Sequence, residues 1–134
     1  MVEVVNRQRR LKLDTEAWSN FAARALDAIG KSESSATVAF VSDKRIRGLN
    51  RQFRGVDKAT DVLSFPAEEK LNLGDIAVSV DTAVIQAKEN GLTLDEEIAQ
   101  LILHGLLHLC GYDHETDNGE MNRLELKLRR RLGV

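Results

Sequence analysis

Thr93-Leu94-Asp95-Glu96-Glu97-Ile98-Ala99-Gln100-Leu101-Ile102-Leu103-His104-Gly105-Leu106-Leu107-His108-Leu109-Cys110-Gly111-Tyr112-Asp113-His114 is the stretch on which the fold turns. It opens as a capping box: Thr93 is followed three residues later by Glu96, so each side chain can satisfy a backbone N–H at a helix start. After Glu97 the helix is apolar on nearly every side, through Ile98, Leu101, Ile102, Leu103, Leu106, Leu107 and Leu109. A helix of that kind is buried all round and central to its domain. It nevertheless carries two histidines. His104 and His108 stand four residues apart and face the same way. Gly111 can take the left-handed conformation that ends a helix. The chain can then turn back and bring His114 to the same point.

All three histidines of the chain lie in the last eleven residues of this stretch, spaced H-x3-H-x5-H. Three imidazoles meeting at one point suit one zinc ion per chain with a fourth, open position, which is the arrangement of catalytic zinc. Nickel or copper would accept the same donors. A closed structural site would use four protein ligands and favour cysteine. Cys110 is badly placed for that, two residues past His108 and roughly 200° around a helix of about 3.6 residues per turn. It reads as a small buried hydrophobe.

A chain of 134 residues supports one domain with one core. Its 43% hydrophobic and 30% charged residues exclude a disordered chain. One cysteine excludes an internal disulfide and fits a reducing cytoplasm. The stretch Met1 to Arg7 has no apolar core of signal-peptide length, and no run approaches the ~20 residues of a membrane span. The expected location is the cytoplasm. Net charge is −2, with residues 1–60 at +5 and residues 61–134 at −7. That asymmetry points weakly to a basic face.

Taken in order, Val2-Glu3-Val4-Val5 reads as a first strand. Asp14 or Thr15 can cap a helix to about Ile29, with Trp18, Phe21, Ala22, Ala25, Leu26 and Ile29 as its core face. Ala36–Val41 reads as a buried strand. Ser42 can cap a helix to about Phe53, in which Ile46, Leu49, Asn50 and Phe53 form one face. Lys44, Arg45, Arg47, Arg51 and Arg54 give that helix a dense positive surface. Val62–Pro66 and Gly74–Val80 suggest a hairpin-like antiparallel pair around a turn at Glu68–Lys70. A helix from about Thr82 to Asn90 precedes the histidine helix. Asp117 with Glu120 opens a last helix whose Met121, Leu124, Leu128 and Leu132 pack inward. Arg129-Arg130-Arg131 near its end complements the helix dipole. The expected fold is α+β: a single domain, residues 1–134, with a four-stranded, mixed but mostly parallel sheet packed by about five helices.

The histidine run also reads H-G-x-x-H-x-x-G-x-x-H. Metzincin peptidases use H-E-x-x-H-x-x-G-x-x-H. The ligand spacing agrees, but Gly105 stands where the general-base glutamate would be, and its loss counts strongly against peptide cleavage. Zinc alone lowers the pKa of bound water to about 7 and would help an anionic substrate. Arg54, at a helix end before Gly55, can serve as a phosphate clamp or as an ordinary surface arginine. Asp61, Asp75 and Asp113 are candidates to orient a ligating imidazole. Asp113 could equally bond to its own loop.

Two stretches together resemble the YbeY family of bacterial endoribonucleases and ribosomal RNA maturation factors. They are the H-G-x-L-H-L-x-G-Y-D-H run, His104 to His114, and the F-R-G-x-D-x-x-T-D-V-L-S-F-P run, Phe53 to Pro66. Leu73-Gly74-Asp75-Ile76 with Ser79 and Asp81-Thr82 matches a third family stretch. Ala59 departs from the family, which commonly has proline there. The resemblance implies a metal-dependent, single-strand-specific endoribonuclease acting in 16S ribosomal RNA 3′-end maturation and ribosome quality control. It implies the small ribosomal subunit and its assembly factors as partners; the lack of a long apolar run adds the expectation of no membrane. It also implies His104, His108 and His114 as metal ligands and Arg54 as the functional arginine on phosphate. A non-catalytic ribosome-assembly factor with a structural metal, and a metzincin-like peptidase, are the alternatives.

Overall fold

The computed structural model describes residues 1–113 and 115–134. The elements run β1 (Val2–Asn6), α1 (Thr15–Ile29), β2 (Ser35–Val41), α2 (Asp43–Arg54), β3 (Val62–Glu69), β4 (Asn72–Ser79), α3 (Val80–Asn90), α4 (Leu94–Leu109) and α5 (Glu120–Leu132). The sheet order is β1-β2-β4-β3. β1 and β2 are parallel, as are β2 and β4, while β3 returns antiparallel to β4 as an edge strand. Among the described residues this is the expected mixed, mostly parallel four-stranded sheet with five helices.

Helix starts follow their local chemistry. Asp14 accepts from the Ala17 N–H and Ser42 from the Arg45 N–H. The Thr93–Glu96 capping box is complete, with Glu96 accepting from the Thr93 N–H and Thr93 from the Glu96 N–H at 3.0 and 3.1 Å. The last helix departs from expectation. It begins at Glu120 behind Gly119, and Asp117 caps from outside by accepting from the Gly119 and Met121 N–H groups.

Strand alternation divides the apolar residues between two faces of the sheet. One face carries the main core: Val38, Phe40, Ile76 and Val78 meet α1, α4 and α5. Trp18 belongs to this core, edge-on to Phe21 and Phe40. The other face carries a small core of Val41, Leu63 and Ala77 beneath Ile46 of α2. α2 does not cover that face fully. Phe53, expected on its inward stripe, is 60% exposed. The histidine helix α4 is enclosed as expected: Ile98, Ile102, Leu103, Leu106 and Leu107 are fully buried. Among the described residues, no helix is long and apolar enough to cross a membrane.

The N-termini of α2 and α3 are locked together, which sets where the end of α2 falls. Asp43 accepts from the Ser79 and Thr82 hydroxyls at 2.5 and 2.6 Å. Asp81 accepts from the Asp43 N–H at 2.8 Å and from Arg10 at 3.0 Å. The Asp43 N–H, then Arg10, hold the Asp81 carboxyl below its ordinary value against a small opposing effect of burial. A depressed carboxyl contributes stability above its unfolded pKa of about 3.9 and loses it as pH falls through the lower folded value. Asp81→Asn is therefore expected to cost about 1 kcal/mol at neutral pH. In urea titrations the gap to wild type should close below about pH 4. A gap that widens in acid would contradict the assignment.

Candidate active site at the end of the central helix

His104 and His108 leave the buried helix through one face, half-buried where their neighbours are fully enclosed. Their rings meet edge to face, with Nε2 of one 3.0 Å from Nε2 of the other. The Nδ1 atoms point outward to partners of their own. His104 Nδ1 lies 2.6 Å from Glu125 Oε1, and His108 Nδ1 lies 3.0 Å from the Tyr112 carbonyl. A carbonyl only accepts, and so does an ionised carboxylate, so both Nδ1 atoms donate. In neutral imidazoles that places the two Nε2 lone pairs at the shared 3.0 Å contact. Convergent lone pairs repel unless a proton or a metal cation lies between them. For two nitrogens about 2.05 Å from a tetrahedral zinc, the expected separation is about 3.3 Å. The pair therefore fits a metal both in spacing and in donor type.

Local sequence produces this geometry. Past Leu109 the chain makes a Schellman turn. Gly111 N–H donates to the His108 carbonyl and Tyr112 N–H to the Leu107 carbonyl, with Gly111 at φ +95°. That turn delivers the Tyr112 carbonyl to His108. Asp113 accepts from the Glu115 N–H within its own loop, and among the described residues it bonds to neither His104 nor His108. Asp61 accepts from the Val62 N–H and the Thr60 hydroxyl. Asp75 lies on the α2 side of the sheet, away from the histidines. The carboxylate that orients His104 is Glu125. It is buried on α5 and is also held by Arg129 at 2.9 Å. Burial pushes its carboxyl up, but the His104 hydrogen bond and the positive charge of Arg129 help outweigh burial and keep it below its ordinary value.

His104 and His108 share a cleft of about 400 Å³ with Arg54, Asp61, Ser64 and Tyr112. Arg54 comes from the last residue of α2, and Ser64 from edge strand β3. Ser64 donates to the Gly105 carbonyl at 3.2 Å, tying that strand to α4. Gly105 is itself buried. A Cβ there would sit 3.1 Å from Ile76 of β4, so the residue faces the sheet and permits close packing of α4 on it. A glutamate at 105 would start inside that contact. Cys110 is half-buried and its thiol is pushed up by burial, against a small opposing effect of Lys31. Among the described residues, no third histidine, cysteine or carboxylate completes a metal-sized group. His114, the third expected ligand, lies outside the described residues.

The family model described as Endoribonuclease YbeY matches residues 3–133. The chain is 47% identical to an Endoribonuclease YbeY from Koribacter versatilis, over 96% of this chain and 84% of that protein. It is 50% identical to one from Nautilia profundicola, over 77% of this chain and 76% of that one. The solution structure of a Thermotoga maritima protein is similar at 30% identity with a TM-score of 0.71, covering 98% of this chain and 89% of that one.

The donor assignment predicts a selective effect. In metal-free protein, 15N spectra are expected to show both rings protonated at Nδ1. Glu125→Gln should shift the His104 ring signals and leave the His108 tautomer unchanged. It should also cost about 2 kcal/mol in denaturant unfolding, because Arg129 and His104 lose a charged acceptor. An unchanged His104 spectrum would overturn the pairing.

Proposed function

The chain belongs to the YbeY family, and from that premise we propose that it is a metal-dependent endoribonuclease that hydrolyses phosphodiester bonds of single-stranded RNA. The observation that carries the reading is the placement of Arg54 and the convergent His104–His108 pair in one cleft. His104 and His108 would hold the metal, with His114 as the third ligand that the family motif supplies. Zinc suits these donors. Bound there, it would supply Lewis acidity and a water of lowered pKa.

The chain's own residues do the rest. Arg54 presents a planar guanidinium that can take two phosphate oxygens at once and hold the scissile group beside the histidines. Glu125 and the Tyr112 carbonyl hold the two imidazoles in one tautomer and one orientation. Ser64 holds the edge of the cleft against α4. The charge of the lining supports a cation. Asp61, Asp113 and Glu115 face it, with Arg54 as the one arginine among the described residues that line it. Such a cleft repels an RNA phosphate until positive charge is added at the histidines. The sheet-facing Gly105 disfavours the peptidase alternative, which needs a carboxylate at that position. Within this reading, the 3′ end of small-subunit ribosomal RNA is the substrate that the family resemblance supports.

Purified protein incubated with a labelled single-stranded RNA is expected to cleave it, and a chelator should abolish cleavage. Arg54→Ala should lower kcat/KM by about 100-fold, the effect of removing one preorganised anion donor. Its metal content should stay unchanged. Cleavage that persists in chelator, or full activity without Arg54, would refute the proposal.

A further inference from the structure

We propose that the groove between α2 and the open face of the sheet is a nucleobase-binding platform. In this assignment Phe53 stacks on a base of the single-stranded RNA next to the phosphate gripped by Arg54. The proposal deepens the endoribonuclease reading and rests on RNA being the ligand.

The groove has a volume of about 450 Å³ and lies on the opposite side of β3 from the histidine cleft. Strand alternation makes this division: Val62, Ser64 and Pro66 line the cleft, whereas Phe65 lines the groove. Because β3 is the sheet edge, a strand of nucleic acid can pass over it from one side to the other. The groove wall is aromatic. Phe53 and Phe65 stand edge to face with centroids 5.4 Å apart, and Phe53 keeps most of its surface in solvent. That packing holds the Phe53 ring in place while leaving it open to a flat partner.

The surrounding charge identifies the partner. Residues 43–58 carry six basic and two acidic residues. At about 100° per residue, Arg45 and Arg54 fall on opposite flanks of the Ile46–Leu49–Phe53 stripe. Arg47 is engaged by Asp57, at 2.8 Å. An exposed aromatic ring beside Arg54, on a helix rich in basic residues, matches a chain that alternates flat bases with phosphates. Inside the groove the exposed Asp75 repels a phosphate but can accept from the exocyclic amino group of a base. A base in the groove and a phosphate at Arg54 would suit both the apolar lining with its Asp75 and the guanidinium beside it. Phe53 and Arg54 are consecutive, so the stacked base and the gripped phosphate belong to neighbouring nucleotides.

The test measures binding separately from cleavage. Fluorescence anisotropy with a labelled 12-nucleotide single-stranded RNA is compared for wild type, Phe53→Ala, Phe53→Leu and Phe53→Tyr, alongside chelator-sensitive cleavage of the same RNA. Phe53→Ala and Phe53→Leu are expected to weaken binding about tenfold, the size of one base-on-ring stack, and to raise KM with kcat nearly unchanged. Phe53→Tyr should bind as wild type does. Thermal unfolding should be nearly the same for all four, since the ring is exposed. Wild-type affinity in Phe53→Ala, or in Phe53→Leu, would overturn the platform. If wild type binds this RNA through Phe53 yet never cleaves it, the platform stands and the nuclease reading fails.

Discussion

The hydrogen bond from His104 Nδ1 to Glu125, at 2.6 Å, is the contact on which the site depends. α4 is enclosed by the sheet and by its neighbouring helices, and its half-buried histidines need partners that fix the orientation of their rings. A buried carboxylate takes that role, and burying one is costly unless its charge is answered. Here His104 and Arg129 both answer it. The arrangement ties α5 to α4 and turns His104 so that its Nε2 meets that of His108. The Schellman turn after Leu109 does the same for His108 with a backbone carbonyl. One imidazole is thus set by a tertiary contact and the other by a local one.

Charge in the cleft is arranged around an addition. Its carboxylates line the same walls as the guanidinium of Arg54, which makes the protein alone a poor host for a phosphate. A cation held by the convergent imidazoles, as proposed, would reverse that balance where a scissile phosphate would sit. On that proposal metal and substrate would be coupled electrostatically, each making the other's binding more favourable. The interlocked N-termini of α2 and α3 hold the helix that carries Arg54 in register with this site.

Much of this was legible in the sequence where the cause is local. Asp14, Ser42 and the Thr93–Glu96 pair cap the helices they were expected to cap, because a cap needs only its next three residues. The all-round apolar character of α4 announced its burial. The hairpin of β3 and β4 followed from their closeness in sequence, and its turn lies near Leu71, with φ +71°. What was not legible is tertiary. Glu125 sits 21 residues from its imidazole, and no spacing rule joins them. A signal did exist: a carboxylate between Met121 and Leu128 on the inward face of α5 is out of place unless a buried partner needs it. Asp117 misled for a smaller reason. Its side chain does serve the helix start, but across an intervening left-handed Gly119, so α5 begins later than a simple cap implies. Phe53 was grouped with its inward stripe because periodicity reports a shared direction and not where the sheet beneath it stops.

X-ray absorption fine structure on zinc-loaded protein reads the donors at the histidine pair. One zinc per chain is expected, with imidazole nitrogens at about 2.0–2.1 Å, and that imidazole scattering should be lost in His104→Ala with His108→Ala. A zinc shell made only of oxygen, or an unchanged spectrum in the double variant, would contradict it.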